Sequence, residues 1–128
     1  MASADILIAE DDRTLRNVYE KKFSIAGYAV RTVHDGAEAL KAIGEKAPDL
    51  LILDINMPVL DGFAVLRKVN ETNPPPYPVI MLTNFADEDT KKKGKELGAD
   101  DYFVKSDMTL RTLLQMVKTL LDARKYFK

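Results

Sequence analysis

A three-layer α/β fold, with a parallel five-stranded sheet covered by helices on both faces, is predicted by three features of the chain. Short apolar runs of strand length recur along it, helix-period segments separate them, and three of the runs (ILIA, LLIL, VIML) are apolar at every position. Continuous rather than alternating apolarity is what a strand requires when both of its faces are covered.

The elements follow in order. Asp5 to Ala9 is the first strand, and Thr14 to Ala26, stopped by Gly27, the first helix. Tyr28 to Val33 is the second strand, followed by a helix from Gly36 to Lys46 that ends before Pro48. Leu50 to Leu53 is the third strand, after which Asp61 can cap a helix through Val69. NPPPYP, from Asn73 to Pro78, makes a stiff connection into the fourth strand, Val79 to Leu82. Asp87 or Asp89 can cap the fourth helix, which ends at Gly98 and carries Gly94 in its interior, where glycine costs about 1 kcal/mol against alanine. With few apolar anchors beyond Ala86 and Leu97, this helix is expected to be locally weak. Asp101 to Val104 is the fifth strand. Leu110, Leu113, Leu114, Val117 and Leu121 then follow the i, i+3, i+4, i+7 template of a last amphipathic helix. Five βα units in succession imply right-handed crossovers and a doubly wound sheet, with functional groups gathered at the carboxyl ends of the strands.

The 128 residues suffice for one core and are too few for two, so a single domain over residues 1–128 is expected, with no output domain after it. Acids and bases nearly balance, at a formal net charge of −1, which argues against direct nucleic-acid binding. Absence of cysteine excludes disulfides, thiolate metal sites and thiol catalysis. No apolar run reaches the roughly 18 residues that span a bilayer, and the acidic N-terminus does not fit a signal peptide, so a cytoplasmic location is expected.

Asp11 and Asp12 follow the first strand, Asp54 the third, Thr83 the fourth and Lys105 the fifth. In a parallel sheet these ends share one edge, so three carboxylates, a hydroxyl and an ammonium face one crevice. Carboxylates gathered in this way call for a hard divalent cation with oxygen ligands, magnesium above all. Such a cation offsets charge when a carboxylate attacks phosphorus, while Lys105 and Thr83 can bind phosphoryl oxygens.

With AEDD at Ala9 to Asp12, LDINMPVLDGF at Leu53 to Phe63, LT at Leu82 to Thr83 and GADDYFVK at Gly98 to Lys105, the chain resembles the receiver domain of bacterial two-component response regulators along essentially its whole length. The resemblance implies a flavodoxin-like sheet of order 2-1-3-4-5 and a signalling switch rather than a turnover enzyme. It implies that Asp54 is phosphorylated by a histidine kinase or phosphotransfer protein. It further implies that Asp12, Asp54 and the backbone carbonyl of Asn56 bind magnesium directly, with Asp11 acting through water. Thr83 and Tyr102 would form the switch pair, read by a downstream protein on the surface of the fourth helix, fifth strand and fifth helix. A homodimer is compatible with this picture.

Two positions depart from the family pattern. Ser106 stands where proline usually follows the lysine, which leaves the cis or trans state of the Lys105–Ser106 peptide open, because a non-proline cis bond costs about 2.5–4 kcal/mol. Asn84 replaces a very small residue and, with Phe85, could crowd the entrance. These departures keep a second reading open, a pseudo-receiver that binds partners without a phosphoryl switch. A haloacid-dehalogenase-like phosphatase is a more distant third, since its nucleophile position would hold Glu10. The lone His34 reads as a surface residue, the lysines at 91–93 and 95 as a solvated helix face, and Met116, Leu120, Tyr126 and Phe127 as core cover or partner surface.

Overall fold

The computed structural model describes residues 3–71, 75–84 and 87–126. Strands β1 (Asp5–Ala9), β2 (Ala29–Val33), β3 (Leu50–Asp54), β4 (Val79–Thr83) and β5 (Asp101–Val104) alternate with helices α1 (Arg13–Ile25), α2 (Gly36–Glu45), α3 (Gly62–Val69), α4 (Glu88–Glu96) and α5 (Leu110–Tyr126). All neighbouring strands are parallel, in the order β2-β1-β3-β4-β5. The expected architecture and strand order are therefore those of the molecule. Phe85, Ala86 and Phe127 lie outside the described residues, as do two positions of the proline-rich connection, Asn73 and Pro74.

Strand alternation sorts the core into two layers. Leu7, Ala9, Leu51, Leu53, Val79 and Met81 face α2, α3 and the end of α4, packing on Ala39, Val65, Leu66 and Leu97. Ile6, Ile8, Leu50, Ile52, Ile80, Leu82 and Phe103 face α1 and α5, packing on Tyr19, Phe23, Leu113 and Val117. The central strands β1, β3 and β4 are buried at every position, which is why their sequences do not alternate.

Four helices begin in the same way. Asp12, Asp35, Asp61 and Asp87 each hold extended backbone and accept a hydrogen bond from the amide three residues on, pairing one of the free amides at a helix start. Met116 and Leu120 pack partly on the core and also line a surface cavity of about 400 Å³ with Asp101, Arg111, Thr112, Gln115 and Thr119. No helix among the described residues is long and apolar enough to cross a membrane.

Candidate functional site

The carboxyl edge of the sheet is where strand period and register bring charge together. Ile8 pairs with Ile52 and Ala9 with Leu53, so the next step along each strand sets Glu10 beside Asp54. Glu10 extends the Ile6, Ile8 face, Asp54 the Leu50, Ile52 face, and Lys105 the Phe103 face, all on the α1/α5 side. Glu10 and Asp54 are both buried. Lys105 Nζ lies between them, 2.7 and 3.0 Å from the two Glu10 carboxylate oxygens and 3.0 Å from Asp54 Oδ2. The Lys105 amide donates to Thr83 O at 2.8 Å, carrying the β4–β5 ladder one step past the strand.

Sequence reasoning missed Glu10 and misplaced Asp12. Glu10, Asp11 and Asp54 each bring one carboxylate oxygen within 4.8 Å of the other two. Asp12 is exposed, and its Oδ1 accepts the Leu15 amide at 3.0 Å as the cap of α1. The sequence expectation set Asp12 beside Asp54; in the structure the acids gathered there are Glu10 and Asp11, one position earlier, and Asp12 serves the helix start. The reason is the strand. Glu10 N–H still donates to Val33 O at 3.1 Å, so the β-conformation runs through Glu10 and turns its side chain onto the face of Asp54. A signal was available, since helix α1 needs a cap and Asp12 is the acid immediately before it. Arg16 holds the turn by donating from Nη1 to the carbonyls of Glu10 and Asp11 at 2.9 and 3.3 Å.

Asp54 is fixed from behind by the turn that follows. Gly62 N–H donates to Ile55 O at 2.8 Å, and a Cβ on Gly62 would stand 3.0 Å from Ile55 Cα and closer still to the Asp54 carbonyl. Glycine in the LDG part of the motif lets α3 start directly against the strand that carries Asp54. Between them, Leu60 N–H donates to Pro58 O at 2.8 Å across Val59, which has φ 70°. A β-branched residue in that region is strained. The Asn56 amide donates to Asp54 Oδ1 at 3.3 Å, which places the Asn56 backbone beside the carboxylate.

The electrostatics are those of a site short of positive charge. Burial pushes the Glu10 carboxyl up to about 8, together with its hydrogen bond to Asp54 and against the pull of Lys105. Burial alone would lower the Lys105 ammonium, but its hydrogen bond to Glu10 and the charge of Asp54 hold it above its ordinary range. The buried Tyr19 phenol is pushed up by burial and then by Glu10, Asp54 and Asp12, a further mark of the negative field. One ammonium is shared by two buried carboxylates with a third beside them. Such a donor set fits a hard divalent cation, which prefers oxygen ligands and supplies the missing charge.

The remaining residues fall on the other face. Thr83 is buried at the end of β4, and Tyr102 pairs with Met81, two residues before it, so both belong to the α4 side of the sheet. Asn84 is exposed beyond Thr83. No described residue has a cis peptide bond, so the Lys105–Ser106 link is trans, and the chain turns through the Asp107 and Met108 amides, which both donate to Val104 O. His34 is exposed, its Nδ1 2.7 Å from Glu38, and takes no part in the site.

Comparison with known proteins gives a consistent family. The model of the response regulator receiver domain matches residues 6–118. The chain is 43% identical over 100 residues to a probable transcriptional regulator, ycf27, of Guillardia theta, covering 78% of this chain and 39% of that protein. It is 38% identical over 123 residues to the response regulator MprA of Mycobacterium ulcerans, covering 96% of this chain and 52% of that one. It thus spans about half, or less, of the length of these two relatives. A CheY-like response regulator receiver domain from Methanospirillum hungatei has the same fold, with a TM-score of 0.91 at 27% identity over 99% of this chain and 100% of that one.

Proposed function

This chain belongs to the response regulator receiver domain family, and on that premise we propose that Asp54 is its phosphoacceptor, served by Glu10, Asp11 and Lys105. The observation that carries the assignment is the Lys105 ammonium bridging Glu10 and Asp54 at 2.7–3.0 Å within a group of three clustered carboxylates. Asp11 and Asp54, with the Asn56 carbonyl and with Glu10 behind them, would hold magnesium. When bound, the ion supplies the positive charge that offsets the phosphoryl oxygens.

The chain's own groups do the rest. An Asp54 oxygen forms the acyl phosphate bond as the donor's bond to phosphorus breaks, and the leaving group takes the proton it needs from solvent. Lys105, already beside Asp54 Oδ2, moves its contact to a phosphoryl oxygen, and Thr83 donates its hydroxyl to another. Glu10 holds Lys105 in place throughout. Thr83 and Tyr102, on the α4 face, carry the change to a partner surface of α4, β5 and α5. The donor is a histidine kinase or phosphotransfer protein, and the setting is the cytoplasm.

Incubation with Mg²⁺ and acetyl phosphate, followed by mass mapping, is expected to place one phosphoryl group on Asp54. Asp54→Asn should abolish it, Asp11→Asn should reduce it strongly, and Asp12→Asn should leave it largely intact. Stable labelling of Asp54→Asn would remove the assignment, and loss of labelling in Asp12→Asn alone would restore Asp12 to the site.

A further inference from the structure

The turn between β1 and α1 carries Glu10, Asp11 and Asp12 in succession, and the carbonyls of all three end on one residue. Arg16 N–H donates to Asp12 O at 2.9 Å, and Arg16 Nη1 donates to Glu10 O at 2.9 Å and to Asp11 O at 3.3 Å. The same segment is tied on its donor side, where Glu10 N–H reaches Val33 O at 3.1 Å, and by the Asp12 carboxylate, which takes the Leu15 amide at 3.0 Å. Little backbone freedom remains. This matters most for Asp11, which is exposed, so that its carboxylate is placed by its backbone and not by packing. Holding the backbone of residues 10 and 11 therefore holds the distances of their carboxylates to Asp54, which all lie within 4.8 Å. A planar guanidinium is preorganised for such a grip, whereas the flexible stem of a lysine is not.

The stiffness of an oxygen ligand set decides which hard cation it selects. Mg²⁺ demands near-octahedral oxygens at about 2.0–2.1 Å, whereas Ca²⁺ accepts more of them, at about 2.3–2.6 Å and in flexible arrangements. A turn that cannot spread penalises the larger ion. We propose that Arg16 is a positioning residue that, by holding the carbonyls of Glu10, Asp11 and Asp12, keeps the acidic turn rigid and makes the site select Mg²⁺ over Ca²⁺. The proposal rests on the reading of Asp11 and Asp54, with Glu10 behind them, as the magnesium site. Arg16 acts through the backbone of the acids and touches neither the ion nor the phosphoryl group. Without its guanidinium the Glu10 and Asp11 carbonyls turn to water, and the Asp11 carboxylate moves with its backbone. The ion that tolerates a wider spread of ligands then loses less.

The ¹⁵N-labelled full chain tests this through the Asn56 amide, which donates to Asp54 Oδ1 and reports an ion bound there without any phosphoryl transfer. Mg²⁺ and Ca²⁺ are added separately to the parent and to Arg16→Met, Arg16→Gln and Arg13→Met, and the two dissociation constants are read from the shifts. Arg16→Met keeps an apolar stem and loses the donors. It is expected to weaken Mg²⁺ binding about 10–100-fold, the range for residues that orient metal ligands, and Ca²⁺ binding much less. The ratio of the two affinities therefore falls. Arg13→Met removes an equal charge from the exposed start of α1 and should keep the parent's ratio. An unchanged ratio in Arg16→Met overturns the proposal, and so does an equal fall in Arg13→Met, which would trace the effect to net charge. Urea midpoints in EDTA show whether Arg16→Met folds as the parent does; if it does not, Arg16→Gln decides on the same ratio. An Asn56 amide that Mg²⁺ leaves unmoved in the parent overturns the magnesium reading instead, and the two failures separate because one is read in the parent and the other in the variants.

Discussion

At the amino edge of the sheet Asp5 is buried against Arg31, and at the carboxyl edge Asp54 is buried against Lys105. The first pair is closed. Arg31 Nε and Nη2 grip the two Asp5 oxygens at 3.2 and 2.9 Å, and the remaining donors reach Ala42 O and Lys46 O at 3.1 and 2.8 Å, at the end of α2. Lys46 Nζ adds a second cation 3.8 Å from Asp5. The second pair is open. Lys105 is divided between Glu10 and Asp54, with Asp11 adding a third carboxylate. One edge matches each buried charge with donors and stabilises the fold. The other leaves negative charge in excess, a cost that a protein tolerates where chemistry needs it.

The largest effect expected from this contrast is at the closed edge. Arg31→Met should lower the unfolding free energy by about 2–3 kcal/mol, the cost of a buried carboxylate left unpaired, reduced because Arg31 is partly exposed. Urea unfolding with and without Mg²⁺ checks it, and Mg²⁺ should not restore the loss. A deficit below about 1 kcal/mol would put Asp5 in the class of weak surface pairs.

Mg²⁺ should act at the open edge alone. At a hundredfold excess over its dissociation constant it should stabilise the parent by about 2.7 kcal/mol, by mass action on the folded state. The same gain is expected in Arg31→Met and little of it in Asp54→Asn. Equal gains in parent and Asp54→Asn would move the ion elsewhere.

Removing one acid should have opposite signs at the two edges. In EDTA, Asp54→Asn is expected to stabilise by about 1 kcal/mol, because Lys105 then serves one carboxylate, whereas Asp5→Asn should destabilise by a similar amount. Denaturant midpoints of the two variants decide it; the same sign for both would erase the distinction between the edges.

The smallest effect concerns strain, which is also confined to the carboxyl edge: Val59 is the one non-glycine residue with positive φ among those described. Val59→Gly relieves that conformation but frees the unfolded chain, so a net gain of about 0.5–1 kcal/mol is expected in the same measurement. A net loss would show that the Val59 backbone is held without strain.

Much of the site was legible because each signal was local. Asp54 follows a run too apolar to be anything but a covered strand, and Asp61 and Gly62 punctuate the turn behind it. Lys105, which meets Asp54 and Glu10, follows the end of another such run in the same way. Gly94 was legible only as a flaw in α4, because the residue that a Cβ there would strike, Tyr102, lies on another element.

By itself the sequence determined the five βα units and the Asp61 cap of α3, since apolar period and capping depend on neighbours a few residues apart. Only the tertiary structure decided which acids face Asp54. Where a strand is apolar on both faces, its period no longer marks the faces, and the register between β1 and β3 is set by pairing across 44 residues of chain. That register, Ala9 against Leu53, put Glu10 into the site and left Asp12 to the helix.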